Sequence, residues 1–376
     1  MRTTLIALLF FWGGHATAVD LVVGNAGGRL QGHVVADFPD PWALSFLDDV
    51  QLLVTTQSGK LWLLTTTGDK ALVQGVPTVF AGGQGGLGDV VPHPQFSNNR
   101  LVYFSYVNST DGGKTRFATV ARATLVSSNP PTLTKLETIW RQFPAHAGMG
   151  HFSHRIAFGP THSPHAGKLF ISSGDRQALS PAQSWDMNLG KIVRLNDDGS
   201  VPRDNPFQNN GALAQSFWTM GHRNVLGLAF DANGQLWSHE MGPRHGDELN
   251  IVMPGNNYGW PLVSEGRHYS GIPIPSHSTR ADFKAPELYW VPTVAPSGLA
   301  FVAGSEFPQW TGHALIGGLR SQALIRIAFT NGKAYEAERF GWTQRVRDVE
   351  LAADGTIWVL EDPPLGRLIR FSKPLN

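Results

Sequence analysis

Between Glu240 and Pro261 the chain reads EMGPRHGDELNIVMPGNNYGWP, with Asp247 and Glu248 side by side among glycines and prolines. Hard cations take oxygen ligands, and turns of this kind expose main-chain carbonyls beside carboxylates that supply charge. A solvated surface loop has the same composition, so the chemistry of this stretch depends on what accompanies it.

Four further stretches are too polar or too glycine-rich for plain strand or turn. AGGQGGLGDV (81–90) sets five glycines around Gln84; no helix pattern follows, so it is not a phosphate loop. AHAGMGHFSHRIAF (145–158) places His146, His151 and His154 ahead of an apolar strand, and an imidazole titrates where a general base must. SSGDR (172–176) ends a strand on Asp175, a carboxylate able to orient a histidine. WTMGHRNVLGLAF (218–230) puts Arg223 and Asn224 just before a strand, and TQRVRDVEL (343–351) puts Arg345 and Arg347 two apart. Strand alternation directs those two guanidiniums to one face, where they repel unless they meet an anion. Facing inward, they would mark a site for a polycarboxylate; facing outward, they are ordinary surface charge.

The elements that carry these residues repeat. A β-forming segment, a turn with Asp, Asn or Gly and a second β-forming segment recur at 43–56, 89–106, 155–175, 226–240, 297–319 and 348–362. Six units of roughly 60 residues, without amphipathic helices between them, predict an all-β chain closed as a six-bladed β-propeller of four-stranded antiparallel blades. The segments 108–116, 177–188 and 265–284 read as loop insertions around the channel or rim.

Composition narrows the class. Thirty basic and 29 acidic residues leave a net charge of +1, against a nucleic-acid or anionic-membrane partner. Without cysteine there is no disulfide, thiol catalysis or thiolate-bound metal. MRTTLIALLFFWGGHATA reads as a secretory signal peptide over 1–18, leaving 19–376 as one domain, exported to the periplasm or secreted, with no membrane span.

The ordered set QGGLGDVVPHPQF, HFSHRIAFG, GKLFISSGDR, GKIVRLNDDGSVPRDNPF, GHRNVLGLAF, EMGPRHGDELNI, NNYGWP, HYSG and QRVRDV resembles the soluble pyrroloquinoline-quinone (PQQ)-dependent aldose sugar dehydrogenases of the glucose/sorbosone dehydrogenase type. The resemblance implies a six-bladed propeller that oxidises the anomeric carbon of an aldose to a lactone and passes electrons on to an acceptor the sequence does not identify. It implies His151 as base and Asp175 as its support. It implies PQQ bound by Gln84, Arg223, Asn224, Tyr269, Gly318, Leu319, Arg320, Arg345, Val346 and Arg347. The carbonyls of Gly242 and Pro243 would hold the Ca2+ on the cofactor, and Glu248 with the carbonyl of Tyr258 a second, structural Ca2+. Glu240 acquires no role. Ser153-His154 stands where relatives usually have two glycines, and Arg320 where a lysine is common. The imidazole of His154 could crowd the substrate, shift the base or point away. Two other readings are a calcium-dependent propeller lactonase and a non-catalytic propeller that binds a sugar or a protein.

Overall fold

A computed structural model describes residues 18–374. The segment expected to be a signal peptide lies almost wholly outside the described residues. Among the described residues, helix is confined to Phe96–Asn99 and four short 3-10 turns. No helix among the described residues is long and apolar enough to cross a membrane.

The strands form six antiparallel sheets, five of them a run of consecutive strands from the inside of a ring outward. The innermost strands are Pro41–Phe46, Leu87–Pro92, Ser153–Phe158, Val225–Phe230, Pro296–Phe301 and Val346–Leu351, which open blades I to VI. Each repeat seen in the sequence is the two inner strands of one blade. Blade VI is completed from the other end of the chain. Arg29–Asp37 pairs with Arg367–Ser372, and Ala18–Val23 adds a fifth strand outside it.

Both faces of a blade are covered by neighbours, and this explains the near-continuous apolar runs. In Gln51–Thr56, Leu52 and Val54 pack toward blade VI, while Leu53 between them packs toward blade II. In Lys191–Asn196, Ile192 joins the blade III–IV wedge and Val193 the II–III wedge. Successive side chains on a strand point to opposite faces, so one apolar run feeds two cores.

The inner strands also carry charge into the ring centre. Arg155 of blade III bonds Asp89 of blade II at 3.2 Å and Asp348 of blade VI at 3.0 Å. Asp89 also accepts from the Ile156 N–H, and Asp348 from the Leu44 N–H of blade I. These four blades are thereby tied by one buried, hydrogen-bonded charge cluster.

Candidate active site

In antiparallel blades, the start of every inner strand and the end of every second strand fall on the same face of the ring. Gln84, His151, Arg223 and Arg345 each stand one to three residues before an inner strand. Gln57, Asp175, Pro243, Leu319 and Asp362 each stand one to three residues after a second strand. These sequence-distant residues line one cleft with connected lobes of about 350, 540 and 130 Å3. The insertions at 108–116 and 177–188 leave second strands on this face, and the one at 265–284 brings His268 and Tyr269 to its mouth.

At the floor of the smallest lobe, His151 Nδ1 lies 2.6 Å from Asp175 Oδ1. The other Asp175 oxygen accepts from Trp260 Nε1 at 2.7 Å, and Oδ1 also accepts from the Gln177 N–H at 2.8 Å. With donors fixed on both oxygens, Asp175 acts as acceptor, so Nδ1 of His151 carries the hydrogen and Nε2 is left free toward the cleft. The main chain of His151 is held as well: its N–H donates to Gln84 Oε1 at 2.7 Å, and its carbonyl accepts from the Arg176 N–H. Burial lowers the proton affinity of His151 below that of a free imidazole; the bond to Asp175 opposes this and the Arg223 guanidinium reinforces it. Burial pushes Asp175 upward, yet His151 and Trp260 hold it below the usual carboxylate value.

Arg345 and Arg347 do face inward together, and the anion between them is part of the chain. Each Nε donates to a different oxygen of Asp362, both at 2.7 Å. One carboxylate against two guanidiniums leaves the cleft wall positive. Arg223 and Arg320 line the adjoining lobe. The Arg223 Nε and Asn224 Nδ2 atoms are buried without a partner, while Asn224 Oδ1 accepts from Ser153 Oγ. Tyr269 stands at the mouth, 72% exposed. Leu319 reaches the cleft, whereas Gly318 is buried in its strand and Val346 packs in the blade V–VI core with its carbonyl taken by Ser297 Oγ.

Glu240 does have a place. Its carboxylate accepts from His222 Nδ1 at 3.0 Å and from the Arg223 N–H at 2.6 Å. It also faces Glu248 directly across the strand pair, and both are buried. Like charges in that register repel. Burial first, and Glu240 second, push Glu248 well above the carboxylate range; its own bond is a 3.4 Å contact from Asn250. The two acids border a chamber of about 10 Å3, with Gly242, Pro243 and Tyr258 on its walls. The carbonyl of Tyr258 accepts from His277 Nε2 at 3.0 Å. No cluster of three or more His, Asp or Glu suited to a metal occurs among the described residues. Asp247, adjacent to Glu248, faces the other way: it accepts from the Gly242, Val294 and Ala295 N–H groups and braces the cleft wall.

His154 points away from the cleft. It is 1% exposed, bonds Ser105 Oγ through Nδ1 at 2.7 Å and stacks on Trp42 at 5.1 Å. Burial, with Arg155 and Arg176 adding to it, lowers its pKa to about 3, so it stays neutral.

Trp260, Asp362 and Glu240 were the residues sequence reasoning missed. Trp260 lies inside the quoted NNYGWP and Asp362 ends the sixth repeat, so proximity to a motif was the available signal.

A ring of six blades with a buried His–Asp pair beneath an arginine-lined cleft is the architecture of a propeller enzyme. The Glucose / Sorbosone dehydrogenase family model matches residues 38–370. The aldose sugar dehydrogenase YliI of Escherichia coli K12 is 38% identical over 340 residues, 88% of this chain and 90% of that one. The soluble aldose sugar dehydrogenase (Asd) of Escherichia coli, solved in its apo form, superposes with a TM-score of 0.85 at 36% identity, covering 92% of this chain and 100% of the other. The PQQ-bound aldose sugar dehydrogenase of Streptomyces coelicolor gives 0.73 at 28% identity, covering 90% and 96%. The chain belongs to the glucose/sorbosone dehydrogenase family of oxidoreductases.

Proposed function

We propose that this protein oxidises the anomeric carbon of aldose sugars to lactones, with PQQ and Ca2+ as its resident groups. The observation that carries the reading is His151, locked by buried Asp175, with Nε2 open toward a cleft whose walls present guanidiniums. Arg223, Arg320, Arg345 and Arg347 suit the three carboxylates of PQQ, and the orphaned Arg223 Nε and Asn224 Nδ2 are donors in want of an acceptor. Gln84, Tyr269 and Leu319 complete the set from the rim and wall of the cleft, with Gly318 and Val346 behind them, positioning the strand ends rather than touching the cofactor. The carbonyls of Gly242 and Pro243 would hold the ion at the cofactor. Glu248 and the carbonyl of Tyr258, with Glu240 opposite, suit a second Ca2+, since a cation relieves two buried acids set face to face. Bound there, the quinone supplies a two-electron oxidant and the ion a Lewis acid that polarises it.

The chain's own part is orientation and proton transfer. His151 Nε2 takes the proton of the anomeric hydroxyl as the anomeric C–H gives up its hydride, and the sugar leaves as its lactone. Asp175 keeps Nδ1 as donor and stabilises the imidazolium that forms. Trp260 keeps Asp175 ionised and walls the smallest lobe against water. A lactone hydrolase would have little use for so many cationic groups beside its base. The apolar leader of the sequence supports a periplasmic or secreted location.

The test is reconstitution of the apoprotein with PQQ and Ca2+, followed by aldose-driven reduction of an acceptor dye. No reduction with any of several aldoses would overturn the reading. His151→Ala should lower turnover by about 10²–10⁴-fold with PQQ affinity little changed.

A further inference from the structure

Lys191, second residue of the GKIVRLNDDGSVPRDNPF stretch, takes no part in the cleft, yet it is the one buried lysine among the described residues, at 0% exposure. Its ammonium donates to the carbonyls of Pro181, Ala182 and Leu189 at 2.8, 3.0 and 2.9 Å, so each of its three N–H bonds has an acceptor. Burial alone acts on its proton affinity, lowering the pKa to about 7; no carboxylate lies near enough to oppose it. A buried cation without a counter-ion is costly, and an apolar side chain would fill the same space without that penalty. Two of the three acceptors lie in the 177–188 insertion and the third just after it, so the charge gathers that loop onto the start of its own strand.

The gathered loop is the one that backs Trp260. Ala182 packs with Trp260 and Ile274 in one small buried cluster. The Ala182 carbonyl also accepts from the Gly221 N–H, and the Gly221 carbonyl from the Trp260 N–H, both at 3.0 Å. Gln183 Nε2 donates to the Trp260 carbonyl at 2.7 Å and to Asn257 Oδ1 at 3.0 Å. The approach is close: a Cβ on Gly190 would stand 2.5 Å from the Ala182 Cβ and 2.6 Å from the His222 carbonyl oxygen. Trp260 in turn donates its indole N–H to Asp175, the partner of His151, and the same insertion puts Gln177 and Leu179 on the wall of that lobe.

We propose that Lys191 is a positioning residue for the His151–Asp175 pair, a role that rests on reading the pair as the reacting groups. Its ammonium pins the 177–188 insertion against Trp260, and Trp260 holds Asp175 through the oxygen that His151 leaves free. Lys191 touches neither substrate nor cofactor. Without its three donors the loop lifts, the indole bond to Asp175 weakens and water reaches the pair.

The indole N–H of Trp260 reports this directly in apoprotein labelled with 15N-tryptophan, whether or not an aldose is oxidised. At about pH 6, where Lys191 is charged, its NMR signal, assigned by its loss in Trp260→Phe, should lie downfield and exchange slowly with water. Lys191→Met keeps the length of the side chain and removes the donors. The Trp260 signal should then move upfield and exchange about 10-fold faster, while tryptophans outside the insertion keep theirs. Gln183→Leu, at a half-buried position, cuts the insertion from Trp260 with Lys191 in place and should move the signal the same way, so the test survives a Lys191→Met chain that fails to fold. In the PQQ-loaded enzyme, Lys191→Met should move the acid limb of kcat/KM to higher pH, since water at His151 undoes the burial that lowers its pKa. A folded Lys191→Met protein that loses Tm but keeps the parent's Trp260 signal overturns the proposal, as does a moved signal with an unmoved acid limb. The parent's signal in Gln183→Leu overturns it too.

Discussion

His151 sits in the left-handed region, at φ 48°, so that its ring can reach Asp175 while its carbonyl turns to the Arg176 N–H. Gly174 makes this approach possible: a Cβ there would stand 2.1 Å from the His151 carbonyl oxygen. Asp175→Asn would offer Nδ1 an amide in place of a carboxylate, remove the charge that steadies the imidazolium and free the tautomer. We expect turnover to fall about 10²–10⁴-fold with a circular dichroism spectrum like the parent's. The pH profile gives a second check. The base works unprotonated and its folded pKa is lowered, so activity should persist as pH falls through about 6.5 and decline below it. An acid limb of kcat/KM centred at or above 6.5 would contradict this.

At the scale of the strand, Ser153 and His154 open the inner strand of blade III with φ of 57° each, a conformation that suits glycine. For ordinary residues it costs about 1–2 kcal/mol apiece. What holds His154 there is its stack on Trp42, its bond to Ser105 and the room left by Gly88, where a Cβ would lie 1.9 Å from the imidazole Cε1. Trp42 in turn lines the lobe of about 350 Å3. Gly88→Ala should therefore cost about 2–3 kcal/mol in the parent protein by urea denaturation. The same change should cost under about 1 kcal/mol beside His154→Gly, a coupling of the sort that neighbours in contact show. Additive costs would mean the two positions do not share that space.

Over the whole molecule, closure depends on strands from both ends of the chain meeting in blade VI. Deleting residues 18–37 should strip the Arg367–Ser372 edge of its partner and abolish the single cooperative melt in calorimetry. The ring centre depends on Arg155. Arg155→Met would leave Asp89 and Asp348 buried beside each other, both already raised by burial, Asp89 to about 6. Removing one partner of such a cluster costs about 3–5 kcal/mol, measurable as a drop in the urea midpoint.

The six hairpins were legible because period-two alternation and turn chemistry are local, and Leu52, Leu53 and Val54 announce a strand wherever the blade ends up. His151, Asp175, Arg223, Arg345 and Arg347 were legible as polar residues at strand ends, where apolar packing has no use for them. Their partners were not. That Asp362 neutralises two arginines, that Trp260 reaches Asp175 across 85 positions and that Glu240 meets Glu248 depend on which loops the ring brings together. His154 shows the same divide: its type was plain, but its direction required Gly88 and Trp42 from other blades. The sequence by itself determined the all-β repeat, the set of reactive side chains and the family they resemble. Only the tertiary structure decided which charges are paired, which are left idle and which way each imidazole points, because pairing is a matter of distance in space and the propeller joins residues that the chain keeps far apart.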